Sequence, residues 1–283
     1  MDANAQAPAA FSPSPLSFFV LLLLLAAIAA LALLFLSKSK PKKDAFIIVG
    51  LSDSGKSTLF SLLRYGKALP TVTSIEQNEA TFPLYGSKEP HAHHIIDLPG
   101  HPTLHFLLSD YTPLALGIIF VIDAATFPRL SRSVAERLYD VLAERNVMQG
   151  GIRVLVVCNK QDSFVAWPRE KIAQALEKEI DYLRTTRTAT LDAHTTTASE
   201  TSDTFLGLDN APFRMSHLDT DVRFVECALV GQEPGGGEDD AGDGEGDGSG
   251  AQGGESVGGG DEEGGRGLER IKRWIEEVAA GER

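Results

Sequence analysis

The sequence predicts a doubly wound α/β domain with a mostly parallel six-stranded sheet, preceded by one transmembrane helix. Three observations predict it. Short apolar runs at Ala45–Val49, Ile118–Asp123 and Arg153–Cys158 are bounded by polar loops, the pattern of parallel strands buried on both faces. Amphipathic helical patterns at Ser57–Tyr65, Ser131–Arg145 and Arg169–Leu183 alternate with them, which places a ligand at the C-terminal ends of the strands. Leu16–Leu36 is a run of 21 residues with one Ser and no charge.

At 1.5 Å rise per residue that run spans about 31 Å, against a hydrocarbon core of about 30 Å. A cleaved signal peptide has a shorter apolar region, about 7–15 residues, with basic residues before it. Here no Lys or Arg precedes Leu16, whereas Lys38, Lys40, Lys42 and Lys43 follow closely after Leu36. Positive charge stays on the cytosolic side, so 1–15 reads as a short lumenal tail and 37–43 as a basic juxtamembrane linker. The cytosolic domain is then 44–283.

Three further elements complete the sheet and its cover. Ile75–Leu84 and His91–Ile96 read as a strand pair turning near Gly86–Pro90, and Val222–Glu226 as the last strand. The stretch 184–218, rich in Thr, Ser and Ala, reads as a polar insertion, and 268–281 as a closing helix. Between them, 232–267 holds 16 glycines and 11 Asp/Glu against the single Arg266. Such a stretch cannot bury enough apolar surface to offset its ordering entropy and is expected to be disordered. It carries most of the net charge of −13, so overall acidity says nothing about partners of the folded domain. The two cysteines, Cys158 and Cys227, fit no zinc spacing and read as small buried hydrophobes or loop residues.

Gly50-Leu51-Ser52-Asp53-Ser54-Gly55-Lys56-Ser57 fits G-x-x-x-x-G-K-[ST], after a strand and opening a helix. Its backbone N–H groups and the helix N-terminus point at phosphate oxygens. Gly50, Ser52, Asp53, Ser54 and Gly55 form that cradle; Lys56 reaches the β/γ-phosphates, Ser57 coordinates Mg²⁺, and Thr58 lies close to the α-phosphate. Asn159-Lys160-Gln161-Asp162, after the strand RVLVVC, selects guanine over adenine. A carboxylate accepts from both N1–H and the 2-amino group, and adenine cannot supply that pair. Asp162 takes that role, Asn159 braces the loops, and the stem of Lys160 covers the base. Cys227 and Ala228, after the last strand, fit the loop that reads guanine O6, with Ala228 making the contact.

Asp97-Leu98-Pro99-Gly100 follows the strand HAHHII. Asp97 holds Mg²⁺ through water, and the Gly100 N–H meets the γ-phosphate. The remaining Mg²⁺ ligand comes from the first switch loop, either Thr73 or Ser74, with Ser74 favoured. His101 stands where many GTPases carry the Gln that orients the attacking water, which implies slow hydrolysis and a binding switch more than a turnover enzyme. His91, His93 and His94 alternate along a strand without a Cys or carboxylate cluster, so they do not read as a metal site.

Together these residues resemble the β-subunit of the signal recognition particle receptor, a membrane-anchored relative of the Arf and Sar GTPases with the P-loop small-GTPase fold. The resemblance includes the anchor, Thr73-Ser74-Ile75, DLPGH with His101, LEKEIDYLRTTRTAT, FRMSHL followed by VRFVEC, and LERIKRWIEEVA. It implies GTP/GDP and Mg²⁺ as ligands, and a GTP-bound form that holds the N-terminal domain of the receptor α-subunit at the endoplasmic reticulum membrane. Ribosome or translocon are further expected partners, and direct nucleic-acid binding is not expected. The chain departs from the family pattern in its long acidic stretch and in Leu229-Val230 at the end of the guanine loop. The competing reading is a cycling Arf/Sar-type coat GTPase, which the uncharged span disfavours; a P-loop kinase is disfavoured by NKQD.

Overall fold

The computed structural model describes residues 19–20, 22–28, 43–71, 73–87, 91–149, 151–194, 206–208, 211–229 and 260–281. The chain divides into two units, Met1–Lys42 and Lys43–Arg283. In the first, residues 19–20 and 22–28 are helical, and Phe19, Val20, Leu22–Leu25 and Ile28 expose their apolar side chains. Among the described residues no helix is long and apolar enough to cross a membrane. The tail 1–15, most of the predicted span 16–36 and the linker 37–42 lie outside the described residues.

The second unit is built on six strands: β1 Ala45–Gly50, β2 Asn78–Pro83, β3 Ala92–Asp97, β4 Ala115–Asp123, β5 Arg153–Asn159 and β6 Val222–Glu226. Their order is β2-β3-β1-β4-β5-β6. Only β2 runs antiparallel to its neighbour; the other pairings are parallel. The expected mostly parallel sheet is therefore the observed one.

Both faces of the sheet are covered, which is why the central strands read as unbroken apolar runs. The helices are α1 Lys56–Tyr65, α2 Leu107–Tyr111, α3 Phe127–Leu142, α4 Arg145–Met148, α5 Arg169–His194 and α6 Gly260–Ala279. On one face Ile47, Val49, Ile118, Phe120, Val154 and Val156 pack against Phe127, Val134 and Leu138 of α3 and Ile172, Leu176 and Ile180 of α5. On the other, Phe46, Ile48, Ile119, Val121, Leu155 and Val157 pack against Leu59, Leu62 and Leu63 of α1 and Ile271, Trp274 and Ile275 of α6. Alternate residues of one strand thus enter opposite cores, each large side chain contributing roughly 1.5–3 kcal/mol.

Several boundaries differ from the sequence reading, for physical reasons. β2 begins at Asn78 rather than Ile75, because the ladder starts where Asn78 faces Asp97; Ile75 is left 81% exposed. α3 begins at Phe127, whose ring is buried, and stops at Leu142 before a separate turn. α5 runs on to His194, so the predicted insertion 184–218 starts as helix. Arg184 ties that extension to the chain beyond it, donating to the Leu206 and Leu208 carbonyls at 3.2 and 3.0 Å. The closing helix starts at Gly260, not 268, so the end of the stretch expected to be disordered is helical. Asp261-Glu262-Glu263 supply the acidic sequence that favours a helix N-terminus. Residues 230–259 lie outside the described residues.

Candidate nucleotide-binding site

The loop from Gly50 to Ser57 joins the end of β1 to the first turn of α1, at the C-terminal edge of the parallel strands. Gly55 caps α1 with φ 98°, and a Cβ there would sit 2.2 Å from Asn159 Nδ2. That approach requires glycine. Among the described residues only Asp53 (φ 59°) and Lys160 (φ 64°) are non-glycine residues with positive φ, and both lie in this site. Such strain is held only where the surroundings over-determine it.

Lys56 is 6% exposed, and its Nζ donates to the Leu51 carbonyl at 2.7 Å. Burial lowers its pKa, against the opposing pull of Asp97 and Asp53. Ser57 Oγ donates to Asp97 Oδ2 at 2.6 Å and lies 3.1 Å from Ser74 Oγ. Asp97 is fully buried at the end of β3; burial raises its pKa, and among the described residues its Oδ1 has no hydrogen-bond partner. A buried carboxylate oxygen left unpartnered beside two hydroxyls is a donor set for a hard divalent cation such as Mg²⁺. Of the two switch hydroxyls, Ser74 reaches Ser57, while Thr73 Oγ1 turns to Asp53 Oδ1 at 3.4 Å. Thr58 follows Ser57 in α1, half-buried.

Gly100 brings the loop after β3 onto this one. A Cβ there would lie 2.5 Å from Ser52 N and 2.7 Å from Lys56 Nζ. His101 is exposed, and its Nδ1 accepts from Thr103 N at 3.3 Å, capping the turn Pro102–Leu104. Its ring is therefore engaged with its own loop. Ser52, Asp53, Gly55, Lys56, Ser57, Thr71, Thr73, Ser74 and Gly100 line one cleft.

The base side is assembled around Asn159, which is 2% exposed. Its Nδ2 donates to the Ser54 carbonyl at 2.9 Å and its Oδ1 accepts from Leu229 N at 3.2 Å, joining the phosphate loop to the loop after β6. Lys160 Nζ pairs with Asp123 Oδ2 at 2.8 Å, and Gln161 N donates to the Cys227 carbonyl at 3.3 Å. Asp162 is exposed and its carboxylate has no partner among the described residues. Ala228 is buried next to Cys227, whose thiol is pushed up to about 12 by burial, as is that of Cys158.

Sequence reasoning missed Thr71, Asp123 and the backbone of Leu229. Asp123 had a signal: it ends an apolar strand, and its Oδ1 accepts from Ala125 N and Thr126 N in the turn that starts α3. Thr71 and Leu229 had none, because their parts depend on neighbours distant in the chain. Among the described residues no group of His, Cys, Asp and Glu could hold a metal ion by itself, the alternating histidines included.

Comparison with known proteins places the chain in a family. Residues 41–222 match the model of the signal recognition particle receptor beta subunit family. The chain is 38% identical over 196 residues to signal recognition particle receptor subunit beta of Mus musculus, covering 68% of this chain and 71% of the mouse protein. A solved structure of the mammalian SRP receptor superposes with a TM-score of 0.57 at 36% identity, covering 65% of this chain and 91% of the other. The SRβ-GTP/SRX complex from Chaetomium thermophilum shares the fold, with a TM-score of 0.54 at 20% identity over 68% of this chain and 95% of that one. An α/β domain of this topology, carrying these loops and these likenesses, belongs to the signal recognition particle receptor β-subunit family.

Proposed function

We propose that this chain is the membrane-anchored, GTP-binding subunit of a signal recognition particle receptor. Its GTP-loaded form holds the N-terminal domain of the receptor α-subunit at the endoplasmic reticulum membrane. One observation carries the switch: Ser57, Ser74, Asp97 and Gly100 bring the phosphate loop and both switch loops to a single point. Mg²⁺, when bound, neutralises phosphate charge there. Ser57, Ser74 and Asp97 are the residues to hold it, Asp97 through water. The Lys56 ammonium has three N–H donors and gives one to the Leu51 carbonyl, so the others would serve the β/γ-phosphates, and the Gly100 N–H would meet the γ-phosphate.

A ligand shifts a conformational equilibrium only by contacts it makes differently in the two states. Gly100 and Ser74 supply such contacts for a γ-phosphate that GDP lacks. A partner gripping the ordered switches then binds the GTP form more tightly and by linkage tightens GTP in return. A solved Chaetomium thermophilum structure of the same fold is an SRβ-GTP/SRX complex. Asp162 reads guanine, with Asn159, Lys160, Cys227 and Ala228 around the base. With His101 in place of Gln, the GTP complex turns over slowly. Family membership sets the Arf/Sar coat reading aside.

The test is affinity for the α-subunit's N-terminal domain with GTP, with GDP and without nucleotide, beside single-turnover hydrolysis. Binding strongest with GTP is expected; equal affinity in all three states would sink the switch. Carbonate extraction tests the anchor separately, since a spanning chain stays with the membrane.

A further inference from the structure

Away from the nucleotide loops, a cleft of about 310 Å³ opens between α6 and β6, the edge strand of the sheet. Arg169, Arg223, Arg270 and Arg273 surround it, with Phe224 and Trp274 among its walls. Arg223 is paired with Asp221 at 2.9 Å and Glu277 at 3.1 Å, and Arg169 with Glu170 at 2.7 Å. Arg270 and Arg273 are exposed, and neither has an ion-pair partner among the described residues. Three residues apart on one helix, they present two guanidinium forks side by side. Nothing in the nucleotide chemistry uses them.

The chain itself holds a complementary charge. Residues 232–259 carry eight Asp/Glu and no Lys or Arg. Asp243, Glu245 and Asp247 alternate with glycine, so an extended backbone sets all three carboxylates on one side, about 7 Å apart. In the sequence the stretch follows Leu229, just after β6, and precedes Gly260, the first residue of α6, two elements that meet. Gly267 of α6 approaches so closely that a Cβ would lie 2.5 Å from the Glu226 carbonyl oxygen at the end of β6. Arg270 and Arg273 follow within the next two turns of α6. A coil of this length spans about 30 Å root-mean-square, so the cleft is within reach at an effective concentration in the millimolar range.

We propose that the arginine cleft is the docking site for the chain's own acidic stretch, with Asp243, Glu245 and Asp247 set against Arg270 and Arg273. A segment too poor in apolar residues to build a core can still neutralise a basic face. Its docking is electrostatic, exposed to solvent and screened by salt, because the Debye length falls from about 10 Å at 0.1 M to about 3 Å at 1 M.

The experiment uses the full chain. Cys158 and Cys227 are buried, so Ser249→Cys supplies the one thiol open to a dansyl label. Trp167→Phe leaves Trp274, in the cleft wall, as the sole tryptophan donor of the two in the chain. Energy transfer is expected to fall at least about twofold in 1 M salt and equally in the Arg270→Gln/Arg273→Gln variant, with unchanged melting. Transfer that is the same in parent, variant and high salt overturns the proposal. So does an insensitive label together with a free 238–247 peptide that binds the parent and not the variant, since the cleft then serves an acidic segment of another protein.

Discussion

Replacing Asn159 by alanine tests how the two halves of the site are joined. The side chain is 2% exposed and makes two bonds across the chain, to the Ser54 carbonyl at 2.9 Å and from Leu229 N at 3.2 Å. Alanine leaves that carbonyl and that N–H buried without partners, at about 1–3 kcal/mol each. The sum, about 2–6 kcal/mol, is a large part of a domain stability of about 5–15 kcal/mol. At about 2–4 °C per kcal/mol for a domain of this size, the midpoint of thermal unfolding should fall by about 10 °C. Asn159→Asp keeps an acceptor for Leu229 N but sets an oxygen against the Ser54 carbonyl, so it should cost at least as much. Thermal and urea unfolding of nucleotide-free protein are the assays, with GTP affinity alongside. A loss below about 0.5 kcal/mol in both variants, the size of a surface substitution, would refute the bridge.

Four further outcomes are expected. Asp162→Asn should weaken GTP by on the order of 1.5–3 kcal/mol, about 10–150-fold, and favour xanthosine triphosphate; unchanged GTP affinity removes Asp162 from the base contact. Gly100→Ala presses a methyl onto Ser52 N and Lys56 Nζ, and should cost the switch-closed state about 1–3 kcal/mol, read as a narrowed difference between GTP and GDP affinities. Cys158 and Cys227, both with thiols pushed up to about 12 by burial, should resist a thiol reagent at pH 8 until the domain unfolds. His93 is held below the usual imidazole range by burial, against the pull of Glu276, so its contribution to stability is present above about pH 6.5 and lost as pH falls below it. Urea midpoints should therefore drop from pH 7 to pH 5, and His93→Phe should flatten that limb.

What the sequence disclosed follows from how local each signal is. The central strands were legible because burial on both faces forces unbroken apolar runs, and the phosphate loop because its chemistry is contiguous. Element ends were less so: Ile75 is apolar enough to look like strand, yet the ladder needs Asn78 opposite Asp97 to begin. The start of α6 was hidden by its glycines, which argue against a helix whose packing lies further along, at Leu268 and Ile271. In the site, the pairing of Ser57 with Ser74 was foreshadowed by type and position. Asp123 under Lys160 was not, because their encounter depends on β4 and β5 lying side by side.

The tie between Asn159 and Leu229 also bears on when the site comes into being during synthesis. The phosphate loop and both switches are encoded in the first half of the domain, but Leu229 and the helix that covers Phe46, Ile119 and Leu155 are made last. Chains emerge from the ribosome N-terminus first, so the part of that sheet face not covered by α1 stays bare until α6 is free to dock, and Asn159 stays without its second partner until Leu229 is made. A nascent chain thus carries the phosphate loop well before the Leu229 backbone that ties it to the far side of the site, so the site is completed only when the last part of the domain has been made.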